Sequence, residues 1–197
     1  MKSSRLLLAT ALCLAVTSSS AVANEIFKID PAHSTITFKV RHLLGTAKGK
    51  FMRFNGTIDL DREQPAKSSV TASIQVASID TAIAKRDEHL RSDDFFNVQK
   101  FPEITFKSRR VKQTGPATGE IVGDLTMHGV THEIVLRVEL LGSPESAAKN
   151  QATRWRVTTA PIRRSQFGLA WNKSVEAVSM VSDEVAVDIQ IEAARAK

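Results

Sequence analysis

The residues whose side chains most readily hold a metal or transfer a proton are the five histidines, His33, His42, His89, His128 and His132. His128 and His132 are four residues apart, which is the spacing of zinc ligands on a helix. However, His128-Gly129 between two strand patterns is typical of a turn, and the sequence contains no His-Glu-x-x-His motif and no cysteine cluster. We therefore expect no metal site and no cofactor.

Other classes of function also lack support in the sequence. No Gly-x-Ser-x-Gly motif provides a nucleophile, and no glycine-rich phosphate loop precedes a helix, so we expect no catalytic residues. The formal net charge is +6, but the basic residues are scattered among acidic ones and are not interleaved with aromatic side chains. This pattern argues against nucleic acid as a partner.

The segment 86–96 places charged residues of both signs directly before two consecutive phenylalanines. On one interpretation, Arg86 and its neighbours form local ion pairs or caps, and Phe95 and Phe96 plug the end of a barrel. On the other, the two aromatic rings line the entrance to a ligand site, where Arg86, His89 or Arg91 meets a polar headgroup. Both interpretations remain open, and both can hold at once.

The first 23 residues are typical of a secretory signal peptide. Lys2 and Arg5 precede an apolar run of about eleven residues, and Ala21-Val22-Ala23 fits a cleavage site. This run is shorter than the about twenty residues that a transmembrane helix needs. We expect a signal peptide at 1–23, a single mature domain at 24–197, periplasmic localisation and no stable membrane insertion. The single cysteine, Cys13, lies in the leader, so the mature domain is expected to contain no disulfide.

Apolar and polar residues alternate through almost the whole mature chain, which predicts β-strands. Eight segments have one apolar face: 36–40, 54–60, 70–76, 104–106, 121–127, 134–140, 155–159 and 185–191. A shorter segment precedes them at 26–29. A helix capped by Asp80 or Thr81 is expected to run to about Leu90, and a short turn or helix is expected over 162–167. The pattern predicts an antiparallel all-β protein with a short helical crossover or lid.

Eight such strands can form a sandwich or a closed barrel, and a closed barrel can hold one small ligand. Gly56, Ala72 and Gly123 lie among large apolar residues on the inner faces, which indicates either a lumen or points of strand twist. An outer-membrane barrel is disfavoured because such barrels carry aromatic girdles, whereas this sequence has no tyrosine and two tryptophans. The remaining aromatic candidates for a lumen lining or core are Phe38, Phe51, Phe54, Phe106, Phe167 and Trp171.

A series of motifs follows in order along the mature domain: Ile29-Asp30-Pro31-Ala32-His33-Ser34, Gly49-x-Phe51-x-x-Phe54-x-Gly56, Arg86-Asp87-x-His89-Leu90, Asp94-Phe95-Phe96, Phe101-Pro102-x-Ile104-Thr105-Phe106 and Ile162-x-Arg164-x-x-Phe167-Gly168. In this order the chain resembles the YceI-like family of lipocalin-like polyisoprenoid-binding proteins.

The resemblance implies an extended eight-stranded antiparallel barrel in an exported, non-enzymatic protein. It also implies a long-chain isoprenoid or related amphipathic lipid as partner, such as a polyprenyl phosphate or a quinone. The candidate ligand-binding residues are then Phe38, Phe51, Phe54, Arg86, His89, Phe95, Phe96, Phe106, Phe167 and Trp171. The sequence leaves open whether two copies form a homodimer.

Three functions are compared. The first is carriage, storage or scavenging of an isoprenoid lipid inside the barrel. The second is an enzyme acting on an apolar substrate in the same lumen, which would need His33 or His89 as an acid-base residue. The third is a stress-related interaction module that uses the outer face of the barrel, which an exposed apolar patch would favour.

Overall fold

A β-barrel with one α-helix accounts for the alternating sequence pattern. The computed structural model describes residues 24–42, 45–142, 152–170 and 181–196. The predicted signal peptide (1–23) and Trp171 lie outside the described residues. The helix is α1 (Ala84–Arg91), and the strands are β1 (Glu25–Ile29), β2 (Thr35–His42), β3 (Gly45–Phe51), β4 (Phe54–Leu60), β5 (Ser69–Gln75), β6 (Ile79–Asp80), β7 (Glu103–Gln113), β8 (Thr118–Met127), β9 (Val130–Gly142), β10 (Ala152–Thr159), β11 (Ile162–Arg163) and β12 (Glu184–Arg195).

The sheet closes on itself through β12. Neighbouring strands of the sheet follow the order β1-β4-β5-β7-β8-β9-β10-β12. β12 then pairs with β1 in antiparallel register, for example Ala194 with Lys28. This gives a closed ring of eight antiparallel strands. Of the two architectures left open by the strand count, the structure is therefore the barrel and not the sandwich, and the predicted eight-stranded fold is confirmed.

On one side of β12, the sheet continues as two strand pairs, β1 with β4 and β2 with β3. The C-terminal part of β12 pairs with β1, and its N-terminal part pairs with β2, for example Val187 with Phe38. In the same way, β4 pairs with β1 and β3 pairs with β2. β3 was not predicted, because its inward positions include Ala47 and Gly49 and thus show no alternation of large apolar residues.

The local turns agree with the sequence in one case and differ in another. The predicted turn between β8 and β9 is confirmed, since His128 and Gly129 have φ values of 52° and 75°. The predicted cap of α1 is wrong: the helix begins at Ala84 and has no side-chain cap. Asp80 instead accepts a hydrogen bond from the Ala82 amide at 2.9 Å, which holds the turn before the helix. The predicted short helix at 162–167 corresponds to β11 followed by a 3-10 helix.

The core lies inside the ring in two clusters. At one end, Phe27 and Ala193 are 2% and 0% exposed and pack with Val157 and Ile191. Towards α1, a larger cluster surrounds Phe106 and Phe167. Within the described ranges, no helix has the length and hydropathy to cross a membrane.

Candidate functional site in the barrel lumen

The inward side chains of the barrel enclose a cavity of about 470 Å³. Most of its wall is apolar, and among the described residues its polar lining consists of Thr37, His42, Asn55, Thr81, Arg86, Thr159 and Arg164. The alternation of the strands produces this wall, because each strand turns every second side chain inward. Such a chamber can hold an apolar chain, and it offers few polar groups for chemistry.

Seven of the candidate site residues from the sequence line this cavity: Phe38, Phe51, Phe54, Arg86, Phe95, Phe96 and Phe106. Four of them form one aromatic cluster at the end of the cavity near α1. The ring centroids are 5.7 Å apart for Phe38 and Phe51, 6.5 Å for Phe51 and Phe96, and 5.1 Å for Phe95 and Phe96. Phe95 and Phe96 therefore form part of the cavity wall near α1.

Two of the described candidates lie elsewhere. Phe167 is 1% exposed in the core, where its ring packs edge-on against His132 at 5.0 Å. His89 is exposed on α1 and is not among the residues that line the cavity. Trp171 is outside the described residues. Contact of any candidate with a ligand remains a prediction.

The inward glycines do not widen the lumen. A Cβ at Gly56 would lie 2.6 Å from Cδ1 of Ile29, and one at Gly123 would lie 2.6 Å from Cζ of Phe106. The space at both glycines is thus filled by neighbouring side chains, and only Ala72 of the three small residues lines the cavity.

A polar network joins α1 to the cavity wall. Thr81 donates its amide and hydroxyl to Oδ1 of Asp87, at 2.9 and 2.5 Å. Arg86 donates from Nε to the Thr81 hydroxyl at 2.7 Å and from Nη2 to the Thr81 carbonyl at 2.9 Å. Thr81 and Asp87 are buried, whereas Arg86 lines the cavity and is part-exposed. Among the residues of this network, Arg86 therefore both lines the cavity and is accessible to solvent.

The wall of the barrel is incomplete at the same place. β3 pairs with β2 over its whole length but with β6 only at Lys50 and Phe51, so within the described ranges residues 45–49 have a strand on one side only. The turn before α1 lies against this edge, because a Cβ at Gly49 would be 2.9 Å from Cγ2 of Thr81. We call this place, where the edge of residues 45–49 meets the turn before α1, the mouth.

Arg164 is a second guanidinium in the cavity wall, and it is 7% exposed. It donates to the carbonyls of Leu169 at 2.8 Å, Ser182 at 3.1 Å and Val181 at 3.4 Å. Its donors hold the chain that leads into β12. Arg164 is not among the site residues predicted from the sequence, although it lies in the Ile162-x-Arg164-x-x-Phe167-Gly168 motif.

His128 and His132 have structural partners. Nδ1 of His128 lies 3.2 Å from the Phe167 carbonyl, and Nε2 of His132 lies 3.0 Å from the Gln166 carbonyl. Both rings thus contact the 3-10 helix, and the part of the chain that the structure describes holds no cluster of metal-ligating side chains. Their four-residue spacing falls across a hairpin and not along a helix.

His33, one of the two acid-base candidates, lies outside the cavity in the exposed turn between β1 and β2. Its Nδ1 is 2.8 Å from Oδ2 of Asp30. This hydrogen bond, together with the negative charge of Asp30, raises the pKa of His33 above 6.5. The same hydrogen bond lowers the pKa of Asp30 below 3.8. The pair therefore ties the turn together and is not aimed at the lumen.

Comparison with known proteins agrees with this architecture. The profile of the YceI-like domain matches residues 27–193. The chain belongs to the YceI-like family. A UPF0312 protein of Photorhabdus laumondii is 42% identical over 136 residues, which cover 68% of this chain and 70% of that protein.

Solved structures share the fold of this YceI-like chain. Burkholderia cenocepacia BcnA superposes with a TM-score of 0.74 at 22% identity, covering 83% of this chain and 98% of that one. A polyisoprenoid binding domain from Saccharophagus degradans superposes with a TM-score of 0.64 at 18% identity, covering 86% of this chain and 98% of that one. These similarities confirm the barrel.

Proposed function

We propose that this YceI-like protein is an exported lipid-binding protein that encloses a long isoprenoid chain, of polyprenyl phosphate or quinone type, for carriage, storage or scavenging. The observation that carries the proposal is the apolar cavity of about 470 Å³, a volume within the usual range of about 300–1,000 Å³ for ligand pockets. The Saccharophagus degradans neighbour, described as a polyisoprenoid binding domain, supports the same ligand class.

The apolar wall provides the driving force for binding. Each buried methylene contributes about 0.8 kcal/mol, so affinity rises with the length of the chain until the lumen is full. A charged headgroup gains nothing from the apolar wall and is costly to bury without a partner. The tail is therefore expected to enter first, with the headgroup left at the mouth.

Arg86 is the proposed headgroup contact. Its Nε and Nη2 are engaged by Thr81, and its remaining N–H groups are directed to no acceptor among the described residues. Arg164 is less suited to this role, because Nε, Nη1 and Nη2 all donate to backbone carbonyls. A guanidinium suits either a phosphate or a quinone carbonyl, since both accept hydrogen bonds.

Titration with isoprenoids of increasing length tests this proposal. Affinity should rise with each added unit and then level off. Arg86→Met should weaken binding of a headgroup-bearing isoprenoid by about 10- to 100-fold, which corresponds to the loss of one charge-assisted hydrogen bond. The control Lys85→Met, on the exposed side of α1, should leave this affinity unchanged. Affinity that is independent of chain length would contradict the proposal.

Export to the periplasm is the second part of the proposal, and it depends on the signal peptide predicted for 1–23. Cell fractionation followed by N-terminal sequencing tests it. The mature protein should begin at Asn24 and be released with the periplasmic fraction. Full-length protein retained in the cytoplasm would contradict export without affecting lipid binding.

A further inference from the structure

The outer face of the β2–β3 hairpin carries a concentration of positive charge. Four cations project from these two strands, Lys39, Arg41, Lys48 and Lys50, and neither strand contains an acidic residue. Lys50 lies 3.9 Å from Asp80, whereas no ion pair within the described ranges engages Lys39, Arg41 or Lys48. All four side chains are exposed.

The arrangement within this face is unfavourable for the fold. Lys39 and Lys48 are directly opposite each other in the antiparallel register, and like charges at such positions destabilise a sheet. On the other side of β2, the residue opposite Lys39 is Ala186 of β12, which offers no compensating charge. The acidic residues of β12 on that side, Glu184 and Asp188, are each two positions from Ala186, and Asp188 is opposite Thr37. Among the described strands, Lys39 therefore has no acidic residue directly opposite it on either side.

This basic face lies at the mouth of the cavity. The inward side chains of the same two strands, including His42 and Ala47, line the lumen. The methyl group of Thr81 packs beside Gly49 of β3. Two residues after Thr81, Ile83 precedes α1 and has 52% of its surface exposed. Cations next to an exposed apolar side chain are the combination that binds the interface of an anionic bilayer.

We propose that the β2–β3 face docks the mouth of the barrel onto an anionic phospholipid surface, from which an apolar chain can pass into the lumen. The charge complementarity with phosphate headgroups compensates for the Lys39–Lys48 repulsion. The purpose of this docking rests on the proposed lipid binding. A bilayer is favoured over nucleic acid because the inward side chains of the same two strands line an apolar cavity.

A different role for the same lysines is protection of the β3 edge, where charged residues prevent pairing with other chains. Lys48→Glu separates the two roles. It keeps a charge on the edge, replaces a repulsive cross-strand pair by an attractive one, and removes two units of positive charge from the face. The matched control is Lys67→Glu, which makes the same change at an exposed position between β4 and β5, at the other end of the barrel.

The experiment is co-sedimentation of the mature protein with vesicles of phosphatidylglycerol and phosphatidylethanolamine at low and high salt. Lys48→Glu should weaken vesicle partitioning by about 25-fold, at about a factor of five for each elementary charge, and should raise thermal stability. Lys67→Glu should bind as the wild type does, and high salt should release the wild type. Equal binding by Lys48→Glu and the wild type, binding that persists in high salt, or tighter binding to DNA than to vesicles would overturn the inference.

A separate titration of the same Lys48→Glu variant with a detergent-dispersed isoprenoid distinguishes the two proposals. Retained isoprenoid affinity with lost vesicle binding is the expected result. Wild-type protein that binds vesicles but binds no isoprenoid would contradict the proposed function and leave the docking surface intact. Loss of both would contradict the assignment of Lys48 to docking alone.

Discussion

The ring of Phe38 occupies the space that a side chain at Gly49 would need. The two residues are paired across β2 and β3, and a Cβ at Gly49 would lie 2.3 Å from Cζ of Phe38. A missing side chain on one strand thus lets a large aromatic ring of the other lie flat against the wall. The absence of a side chain at Gly49 therefore helps to set the position of the Phe38 ring, which lines the lumen.

Gly49→Ala is therefore expected to push the Phe38 ring into the cavity. Overpacking of this kind costs about 1–3 kcal/mol of unfolding free energy, and it should also weaken binding of long isoprenoids. Urea denaturation and ligand titration measure the two effects. Phe38→Leu in the same chain should recover part of both losses, and strictly additive effects in this double-mutant cycle would contradict the contact.

Asp87 is expected to stabilise the turn that precedes α1. Asp87→Ala removes the acceptor of the Thr81 amide and hydroxyl, and loss of a charged acceptor for buried donors costs about 2–3 kcal/mol. Chemical denaturation measures the loss. Glu88→Ala, at the next position and exposed, should change stability little, and an equal loss in both variants would contradict the role of the Thr81–Asp87 hydrogen bonds.

Arg164 is expected to hold the chain that enters β12. Arg164→Met keeps an unbranched apolar side chain but leaves the carbonyls of Leu169 and Ser182 without this donor, at a cost of about 3 kcal/mol. Arg163→Met is the control, because Arg163 is exposed on the adjacent position. Thermal unfolding that shifts equally in the two variants would contradict the structural role of Arg164.

The Asp30–His33 pair should make stability depend on pH. Because the pKa of His33 is raised, its contribution is complete below pH 6.5 and is lost as pH rises through the folded pKa. Because the pKa of Asp30 is lowered, its contribution is complete above pH 3.8 and is lost as pH falls through the folded pKa. The pair thus stabilises the fold fully between these two values.

NMR titration of His33 checks this assignment. In Asp30→Asn the pKa of His33 should fall towards 6.5, because the carboxylate that raises it is absent. Asp61→Asn, in the loop after β4, should leave the His33 titration as in the wild type. The same His33 midpoint in the Asp30→Asn variant and the wild type would rule out the pairing.

Much of the fold could be predicted from the sequence because inward and outward side chains alternate wherever large apolar residues are present. β12 shows this clearly, since Val185, Val187, Ile189 and Ile191 all line the lumen. β3 could not be predicted in this way, because Gly49 contributes its empty space to Phe38. That relationship joins two strands, and a pattern within one strand does not contain it.

The site was less predictable than the fold. The aromatic residues of the lumen followed from their sequence pattern, but Arg164 depends on carbonyls that the fold brings to it from residues 169, 181 and 182. Asp80 and Thr81 have the residue types of helix caps, yet the competing hydrogen bonds with Ala82 and Asp87 direct them elsewhere. The hydrogen-bond partners of these side chains depend on tertiary contacts and local turns, which the residue types alone do not specify.

The central claim is that the lumen holds a long apolar chain. Native mass spectrometry of gently extracted protein tests it, with two variants that differ only in the face they change. Ala47→Trp fills the lumen beside the mouth, whereas Ala186→Trp places the same side chain on the outer face of β12. We expect a bound isoprenoid in the wild type and in Ala186→Trp, and its loss in Ala47→Trp. Wild-type protein that is repeatedly free of lipid, or equal retention in the two variants, would contradict the claim.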